Sequence, residues 1–170
     1  MTRDVPILLL DVDGVLNAVS LELPDGWRRG TYNDFVLSWD PTVTARLREL
    51  HESGRVEIQW LTTWAENADL LLAEPMGLPR GLRVHVREGV ASTGFSGELR
   101  GGSGWWKLAA ARELALAEPG RRIVWIDEDL AQQADDVAEW LGANPHVLVV
   151  APDLFVGLTH EQIDEIESWL

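Results

Sequence analysis

The chain has 170 residues, of which 46% are hydrophobic and 25% are charged, a composition typical of one soluble globular domain. It contains no cysteine, which excludes disulfides, thiolate zinc sites and cysteine nucleophiles. No apolar run approaches the roughly 20 residues of a membrane span. The apolar stretch near the N-terminus is too short for a secretory signal, so we expect a cytoplasmic protein.

The net charge is −14, and a chain this acidic is expected to repel nucleic acid unless a basic patch or a metal offsets the charge. A solvated acidic surface explains the same balance without any function. The positive charges come from thirteen arginines and a single lysine, Lys107. The lone lysine is either chance or the sign of a site that needs a compact ammonium group.

The first predicted element is a strand, Pro6–Asp11, whose aliphatic residues end abruptly at two acids, Asp11 and Asp13. Residues 15–39 then separate this strand from the first helix. Their centre contains Pro24-Asp25-Gly26, a strong turn signal between strand-like residues. Because a loop of this length in a compact domain is usually functional or disordered, we interpret it as a β-hairpin flap.

Helices and strands alternate after the flap. A helix begins with Asp40 as its N-cap and Pro41 in its first turn, and Gly54 ends it. The later predicted elements are a strand at Val56–Leu61, a helix at about Glu66–Ala73, a strand at Leu82–Val86, a helix at about Gly104–Ala117, a strand at Arg122–Ile126, a helix with Leu130, Ala134, Val137 and Leu141 on one face, a strand at His146–Val150, and a helix with a Thr159–Gln162 capping box. The alternation predicts an α/β fold with a parallel sheet, as one domain over residues 1–170.

Polar side chains follow three of the predicted strands, at the point where each strand ends. They are Asp11 and Asp13 after the first, Thr62 and Thr63 after the second, and Asp127, Glu128 and Asp129 after the fourth. Lys107 lies in the first turn of the helix before that fourth strand. Because ligands of open parallel sheets bind at the carboxyl ends of the strands, we expect these groups to converge.

Such a set of groups suits phosphoryl transfer. A carboxylate can attack phosphorus and form an aspartyl-phosphate, and Mg²⁺ held by several carboxylates would offset their repulsion. A hydroxyl and an ammonium group would bind the remaining phosphoryl oxygens. A second acid, two residues from the nucleophile, could protonate the leaving oxygen and then activate water. Gly14 would let the backbone turn sharply after the strand.

Four sequence features resemble motifs I to IV of the haloacid dehalogenase (HAD) superfamily, in the same order. They are "LLLDVDGVLN", a hydroxyl after the second strand, the lone lysine and "VWIDED". The segments "WLTTWAENADLLL", "WWK", "VWIDED" and "VGLT" also resemble the small HAD domains of multifunctional RNA-repair proteins. The resemblance implies a three-layer Rossmannoid fold with a parallel five-stranded core sheet and helices on both faces. The Asp11 strand would be central, between the Thr62 and Asp127 strands, with a short hairpin flap and no large cap.

The resemblance also implies a role for each matching residue. Asp11 would be the nucleophile and Asp13 the general acid/base, whose backbone carbonyl would also bind Mg²⁺. Thr62 would supply the motif II hydroxyl, with Thr63 as a rival, and Lys107 would be the motif III lysine. The metal ligands would be Asp11, Asp13, Asp127 and Glu128, with Asp129 as the alternative to Glu128. An aspartate at position 13 is typical of phosphatases and phosphotransferases, so the expected activity is phosphomonoester hydrolysis.

Several residues are candidates for contact with the substrate. Thr63 and Gly14 adjoin the expected catalytic groups, and Arg28 on the flap could reach a phosphate or simply be solvated. Four tryptophans near the expected catalytic edge could stack on a base or pack in the core: Trp27, Trp39, Trp64 and Trp105.

The resemblance implies that a nearly capless, open site suits large substrates such as a phosphorylated nucleic-acid end, whereas the acidic balance favours a small phosphomonoester or contact with only the terminus. The alternative function is a non-catalytic HAD-like binding module. A response-regulator receiver is disfavoured because its lysine would come last, whereas Asp127 follows Lys107.

Overall fold

The computed structural model describes residues 5–87 and 105–170. Its strands are β1 (Ile7–Leu10), β2 (Arg28–Tyr32), β3 (Phe35–Trp39), β4 (Glu57–Leu61), β5 (Arg83–His85), β6 (Ile123–Ile126) and β7 (Val147–Val150). Its α-helices are α1 (Pro41–Glu52), α2 (Trp106–Ala117), α3 (Ala134–Ala143) and α4 (His160–Trp169). A π-helical turn spans Ala68–Leu72 and a 3₁₀ turn spans Glu128–Ala131.

Five strands form a parallel sheet in the order β5-β4-β1-β6-β7, which confirms the predicted sheet with the Asp11 strand at its centre. The last residue of β1, Leu10, is paired with Trp60 of β4 and with Ile126 of β6. The three central strands therefore end at almost the same level. Whatever follows them along the chain comes to one edge of the sheet.

The two faces of the sheet are covered by different helices, which makes the predicted three layers. Leu8 and Leu10 of β1 pack in a core with apolar residues of α1 and α4. Ile7 and Leu9 point to the other face and pack in a second core with α2 and α3. All four side chains are buried, which explains why a central parallel strand is an unbroken aliphatic run.

The flap contains the predicted hairpin, but its turn is not where the sequence suggested. The Pro24-Asp25-Gly26 segment does make a turn, in which the Trp27 N–H donates to the Pro24 carbonyl at 3.1 Å, but this turn precedes the hairpin. Strands β2 and β3 are joined by Asn33 and Asp34, both in the left-handed region with φ of 47° and 66°. A two-residue connection of this kind matches the twist of antiparallel strands, and Asn and Asp adopt it at low cost.

The helices differ from the predictions mainly where short turns interrupt them. Asp40 caps α1 and the Thr159–Gln162 capping box begins α4, both as predicted. The helix expected at about Glu66–Ala73 is present over residues 66–72, and most of it is the π-helical turn. The helix expected through Leu130 is divided into the 3₁₀ turn and α3, so that Ala134 is exposed although Leu130 is buried.

Two predictions meet the limits of the described chain. Residues 88–104 lie outside the described residues. They include the start expected for α2, at about Gly104, and part of the interval in which the sequence predicts no large cap. Within the described ranges, no helix is long and apolar enough to cross a membrane.

Candidate active site

Polar groups from β1, β4, α2 and β6 are buried together at the carboxyl edge of the sheet. The exposed fractions are 3% for Asp11, 1% for Thr62, 2% for Lys107 and 0% for Asp127. Buried charges are costly unless they are paired and hydrogen-bonded. The four side chains lie together at the edge where the sequence predicts that they converge. Because they are buried, the pairing of their charges determines what the site can do.

Lys107 bridges two of the acids from the first turn of α2. Its Nζ lies 2.7 Å from Asp11 Oδ2 and 2.7 Å from Asp127 Oδ2. Burial alone would disfavour the ammonium, but the charges and hydrogen bonds of the two carboxylates outweigh it and raise the pKa of Lys107. Trp105, whose ring centroid is 5.9 Å from Nζ, stacks on Trp125 of β6 and so packs the start of α2 against the sheet.

The single ammonium leaves the acidic cluster with uncompensated negative charge. Burial raises the pKa of Asp127 to about 7, although Lys107 opposes the shift. Burial, together with the negative charges of Asp11 and Asp127, raises the pKa of Glu128 to about 9. The Oε2 atom of Glu128 is buried and has no hydrogen-bond partner among the described residues. A cation at this point would offset both the repulsion and the unsatisfied oxygen.

Three carboxylates are arranged so that they could hold such a cation. One oxygen from each of Asp11, Asp127 and Glu128 lies within 4.8 Å of the other two. Carboxylate oxygens are the ligands that Mg²⁺ prefers, so these residues fit the expected metal. Within the described residues this group includes Glu128 and not Asp129, which favours Glu128 as the second acid after β6. The Asp13 carboxylate is not in the group either, which leaves its backbone carbonyl as the predicted ligand atom.

Asp13 has quite different surroundings from Asp11. The Asn17 Nδ2 donates to Asp13 Oδ1 at 2.8 Å, and the Trp64 Nε1 donates to Asp13 Oδ2 at 2.9 Å. Burial raises the pKa of Asp13, and the charge of Asp11 adds to the shift, while the two hydrogen bonds oppose it. An acid with a raised pKa that is held at both oxygens is suited to exchange protons.

The two candidate hydroxyls follow β4. Thr62 is buried, and its Oγ1 accepts a hydrogen bond from the Trp64 backbone N–H at 3.3 Å. Thr63 is partly exposed. Both stay predictions for the motif II hydroxyl.

Gly14 has two physical reasons to be glycine, and the sequence indicated only the first. Its φ of +69° lies in the left-handed region, which permits the sharp turn after β1. A Cβ at this position would also lie 2.6 Å from the Cγ of Glu128. Gly14 therefore makes room for the side chain of the second acid.

The predicted substrate contacts have varied positions. Trp64 has no exposed surface, so its ring has no face free for a base in this structure, and its indole N–H is directed at Asp13. Trp39 is also buried, whereas Trp27 and Trp105 are partly exposed. Arg28 is exposed on β2. A direct contact between these side chains and a substrate stays a prediction.

Sequence reasoning missed Asn17. It is 6% exposed, and its amide links Asp13 to the hairpin by accepting a hydrogen bond from the Ser38 N–H at 2.8 Å. The available signal was a polar residue directly after the apolar Val15-Leu16 pair, four residues from Asp13.

One comparison with known proteins gives a match. A family model described as "HAD domain in Swiss Army Knife RNA repair proteins" matches residues 7–163. Neither the curated proteins nor the solved structures give a match. The matched range contains all the acids, hydroxyls and the lysine described above.

Proposed function

Because the chain belongs to the HAD domains found in Swiss Army Knife RNA repair proteins, we propose that it is a Mg²⁺-dependent phosphomonoester hydrolase acting through an aspartyl-phosphate. The observation that best supports this proposal is the buried contact of Lys107 with both Asp11 and Asp127, beside Glu128. One lysine and one acid would be enough for a purely structural ion pair, whereas Lys107 lies among three acids. A site that binds a divalent cation and a phosphoryl group uses several carboxylates together with an ammonium group.

In the first step, a carboxylate oxygen of Asp11 attacks phosphorus while the bond from phosphorus to the leaving oxygen breaks. The Val12 N–H, 2.7 Å from Asp11 Oδ1, and Lys107 at Oδ2 fix the orientation of this carboxylate. Asp13 gives its proton to the leaving oxygen. Its raised pKa favours the protonated form that this step requires.

In the second step, Asp13 takes a proton from water as that water attacks phosphorus. The bond between phosphorus and Asp11 breaks, which releases inorganic phosphate and restores both carboxyl groups. Lys107 and the hydroxyl of Thr62 or Thr63 bind the phosphoryl oxygens throughout. Mg²⁺, held by Asp11, Asp127, Glu128 and the Asp13 carbonyl, would supply charge neutralisation at the phosphoryl group.

The substrate we propose is a phosphorylated nucleotide or the phosphate terminus of a nucleic acid. The RNA-repair description of the family supports the nucleic-acid end. The net charge of −14 argues against contacts along an extended strand and favours recognition of the terminus alone. We place this activity in the cytoplasm, as expected from the composition.

The test is phosphate release from 3′- and 5′-phosphorylated oligonucleotides, mononucleotides and sugar phosphates, with Mg²⁺ or with EDTA. We expect turnover that needs Mg²⁺ and falls roughly 10³-fold or more in Asp11→Asn. Asp135→Asn, an equivalent change at an exposed site on α3, should leave the rate unchanged. Equal rates in wild type and Asp11→Asn would exclude Asp11 as the nucleophile. No turnover together with no Mg²⁺ binding would favour a non-catalytic binding module.

A further inference from the structure

Both oxygens of the Asp13 carboxylate are held by neutral donors, Asn17 at 2.8 Å and Trp64 at 2.9 Å. The two donors come from different parts of the chain, the loop after β1 and the segment after β4. A carboxylate has about four lone-pair positions, so two hydrogen bonds leave room for a proton and a substrate contact. The pair of bonds restricts both the rotation and the tilt of the group.

Asn17 is itself fixed by the hairpin formed by β2 and β3. The backbone N–H of Ser38, in β3, donates to Asn17 Oδ1 at 2.8 Å. The Ser38 carbonyl accepts from the Ala18 N–H at 3.1 Å, so β3 holds this segment of the loop from both backbone groups. Asn17 and Ser38 are buried, which shields these bonds from water.

Trp64 is in contact with the same hairpin through an aromatic pair. Phe35, the first residue of β3, packs against the Trp64 ring with centroids 5.9 Å apart and an interplanar angle of 78°. This edge-to-face geometry is a favourable one for aromatic rings. Because Trp64 is fully buried, its indole cannot rotate away from Asp13 without disturbing that packing.

The hydrogen bond of Trp64 is not simply what burial of a tryptophan requires in this protein. Trp60 and Trp125 are equally buried, yet their indole nitrogens have no hydrogen-bond partner among the described residues. Trp60 lies only four positions before Trp64, in β4. Of these three buried indoles, the one whose N–H has a partner is the one beside a proposed catalytic acid.

We propose that Asn17 and Trp64 are positioning residues for Asp13, and that the β2–β3 hairpin sets their orientation through Ser38 and Phe35. This inference rests on the proposed function, since it takes Asp13 as the group that protonates the leaving oxygen. A general acid must lie within hydrogen-bond reach of that oxygen, and small misplacements are costly. The hairpin thereby contributes to catalysis without supplying a reacting group.

The kinetic test compares two phosphomonoesters that differ in their need for an acid. An alkyl phosphate requires a proton on its leaving oxygen, whereas 2,4-dinitrophenyl phosphate releases a stable phenolate without one. For Trp64→Phe we expect kcat/KM to fall about tenfold or more on the alkyl phosphate and less than about threefold on the aryl one. Asp13→Asn should show the same selectivity with a larger loss, and Phe35→Leu with a smaller one.

Trp60→Phe is the matched control, because it removes the same atoms from a buried indole that has no hydrogen-bond partner. Any loss it causes should be equal for the two substrates. If Trp64→Phe also lowers both rates equally, the residue has only a structural role and the inference is wrong.

A second measurement does not depend on activity. In the NMR spectrum of ¹⁵N-labelled protein, we expect the Trp64 indole N–H to shift upfield and exchange faster in Asp13→Ala and in Phe35→Leu, while the Trp60 resonance stays in place. An unchanged Trp64 resonance in Asp13→Ala would overturn the inference. If the wild type has no phosphatase activity, the proposed function fails, and this resonance still decides whether Trp64 holds Asp13.

Discussion

Asp11 and Asp13 are two residues apart at the end of one strand, yet the protein holds them by different means. Asp11 is bound by a charged group, Lys107, which also binds Asp127 on the next strand. Asp13 is bound by neutral donors that are in contact with the hairpin. The first arrangement places a counter-charge against the carboxylate, whereas the second supplies two hydrogen bonds without any charge. The comparison shows that two acids on one strand end can have chemically different partners, which is what the separate tasks proposed for them require.

Removal of the Lys107 ammonium, which neutralises Asp11 and Asp127, should have the largest effect on stability. Lys107→Met leaves Asp11 and Asp127 buried without their counter-charge, and breaking a buried ion pair costs about 3–5 kcal/mol. We expect the free energy of unfolding, measured by urea denaturation in EDTA, to fall by that amount, with loss of phosphatase activity. Arg112→Met, an exposed change on the same helix, should alter the free energy by less than about 0.5 kcal/mol. Equal stabilities for the two variants would show that Lys107 does not compensate the acids.

Gly14 follows Asp13 in the chain and packs against Glu128, so its substitution should disturb the proposed metal site more than the surroundings of Asp13. Gly14→Ala adds a Cβ 2.6 Å from Glu128 Cγ and places alanine at a positive φ, which costs about 1–2 kcal/mol. We expect the displaced Glu128 to weaken Mg²⁺ binding roughly tenfold, measured by calorimetry. Gly54→Ala has a similar φ with no atom near its Cβ, so it should lose stability and keep the Mg²⁺ affinity. Unchanged Mg²⁺ affinity in Gly14→Ala would remove Glu128 from the metal site.

The stability of the folded protein should also depend on pH through Glu128, which lies on the Asp11 side of the site, and we expect this effect to be smaller. Burial and neighbouring charges raise the pKa of Glu128 from its usual value of 4.5 to about 9, so its ionised form is disfavoured in the folded protein. Its stabilising contribution is complete below pH 4.5 and is lost as the pH rises toward 9. In EDTA we expect the free energy of unfolding to fall by at least about 1 kcal/mol between pH 5 and pH 9, and Mg²⁺ should reduce that fall.

The control for this pH dependence is a pair of variants measured by urea denaturation at pH 5, 7 and 9. Glu128→Gln should make the profile shallower and leave the part that comes from Asp127, whose pKa is raised to about 7. Glu139→Gln, an exposed change on α3, should leave the profile unchanged. A wild-type profile that rises with pH in EDTA would contradict the description of an uncompensated acidic cluster.

The fold was predictable because its signals are local and repeated. The unbroken aliphatic run of β1 predicts a central buried strand, and acids after two strands predict the edge at which they meet. The convergence of Asp11, Lys107 and Asp127 was expected from the carboxyl ends of parallel strands, and the order of the strands from the resemblance to the HAD superfamily. The turn of the hairpin was misplaced because Pro24-Asp25-Gly26 is the stronger local signal, although Asn33 and Asp34 make the reversal.

The surroundings of Asp13 were harder to predict because they depend on contacts between distant segments. A tryptophan after a strand has the same sequence pattern whether its ring is open to a ligand or, as for Trp64, fully buried. Asn17 is held by Ser38, a residue 21 positions away, and no periodicity indicates such a pair. The break between the 3₁₀ turn and α3 was equally hard to predict, because the apolar residues on its two sides, Leu130 and Val137, keep a helix-like spacing.

The level ends of β1, β4 and β6 have a consequence for strand length. Loss of one residue from Ile7–Leu10 would exchange the side chains that face the two cores and turn Asp11 away from Lys107, so this segment cannot change in length without losing the site. The β2–β3 hairpin lies outside that five-stranded sheet. A change in the hairpin therefore leaves the strand ends in register, but it alters the support that Ser38 and Phe35 give to the two donors of Asp13.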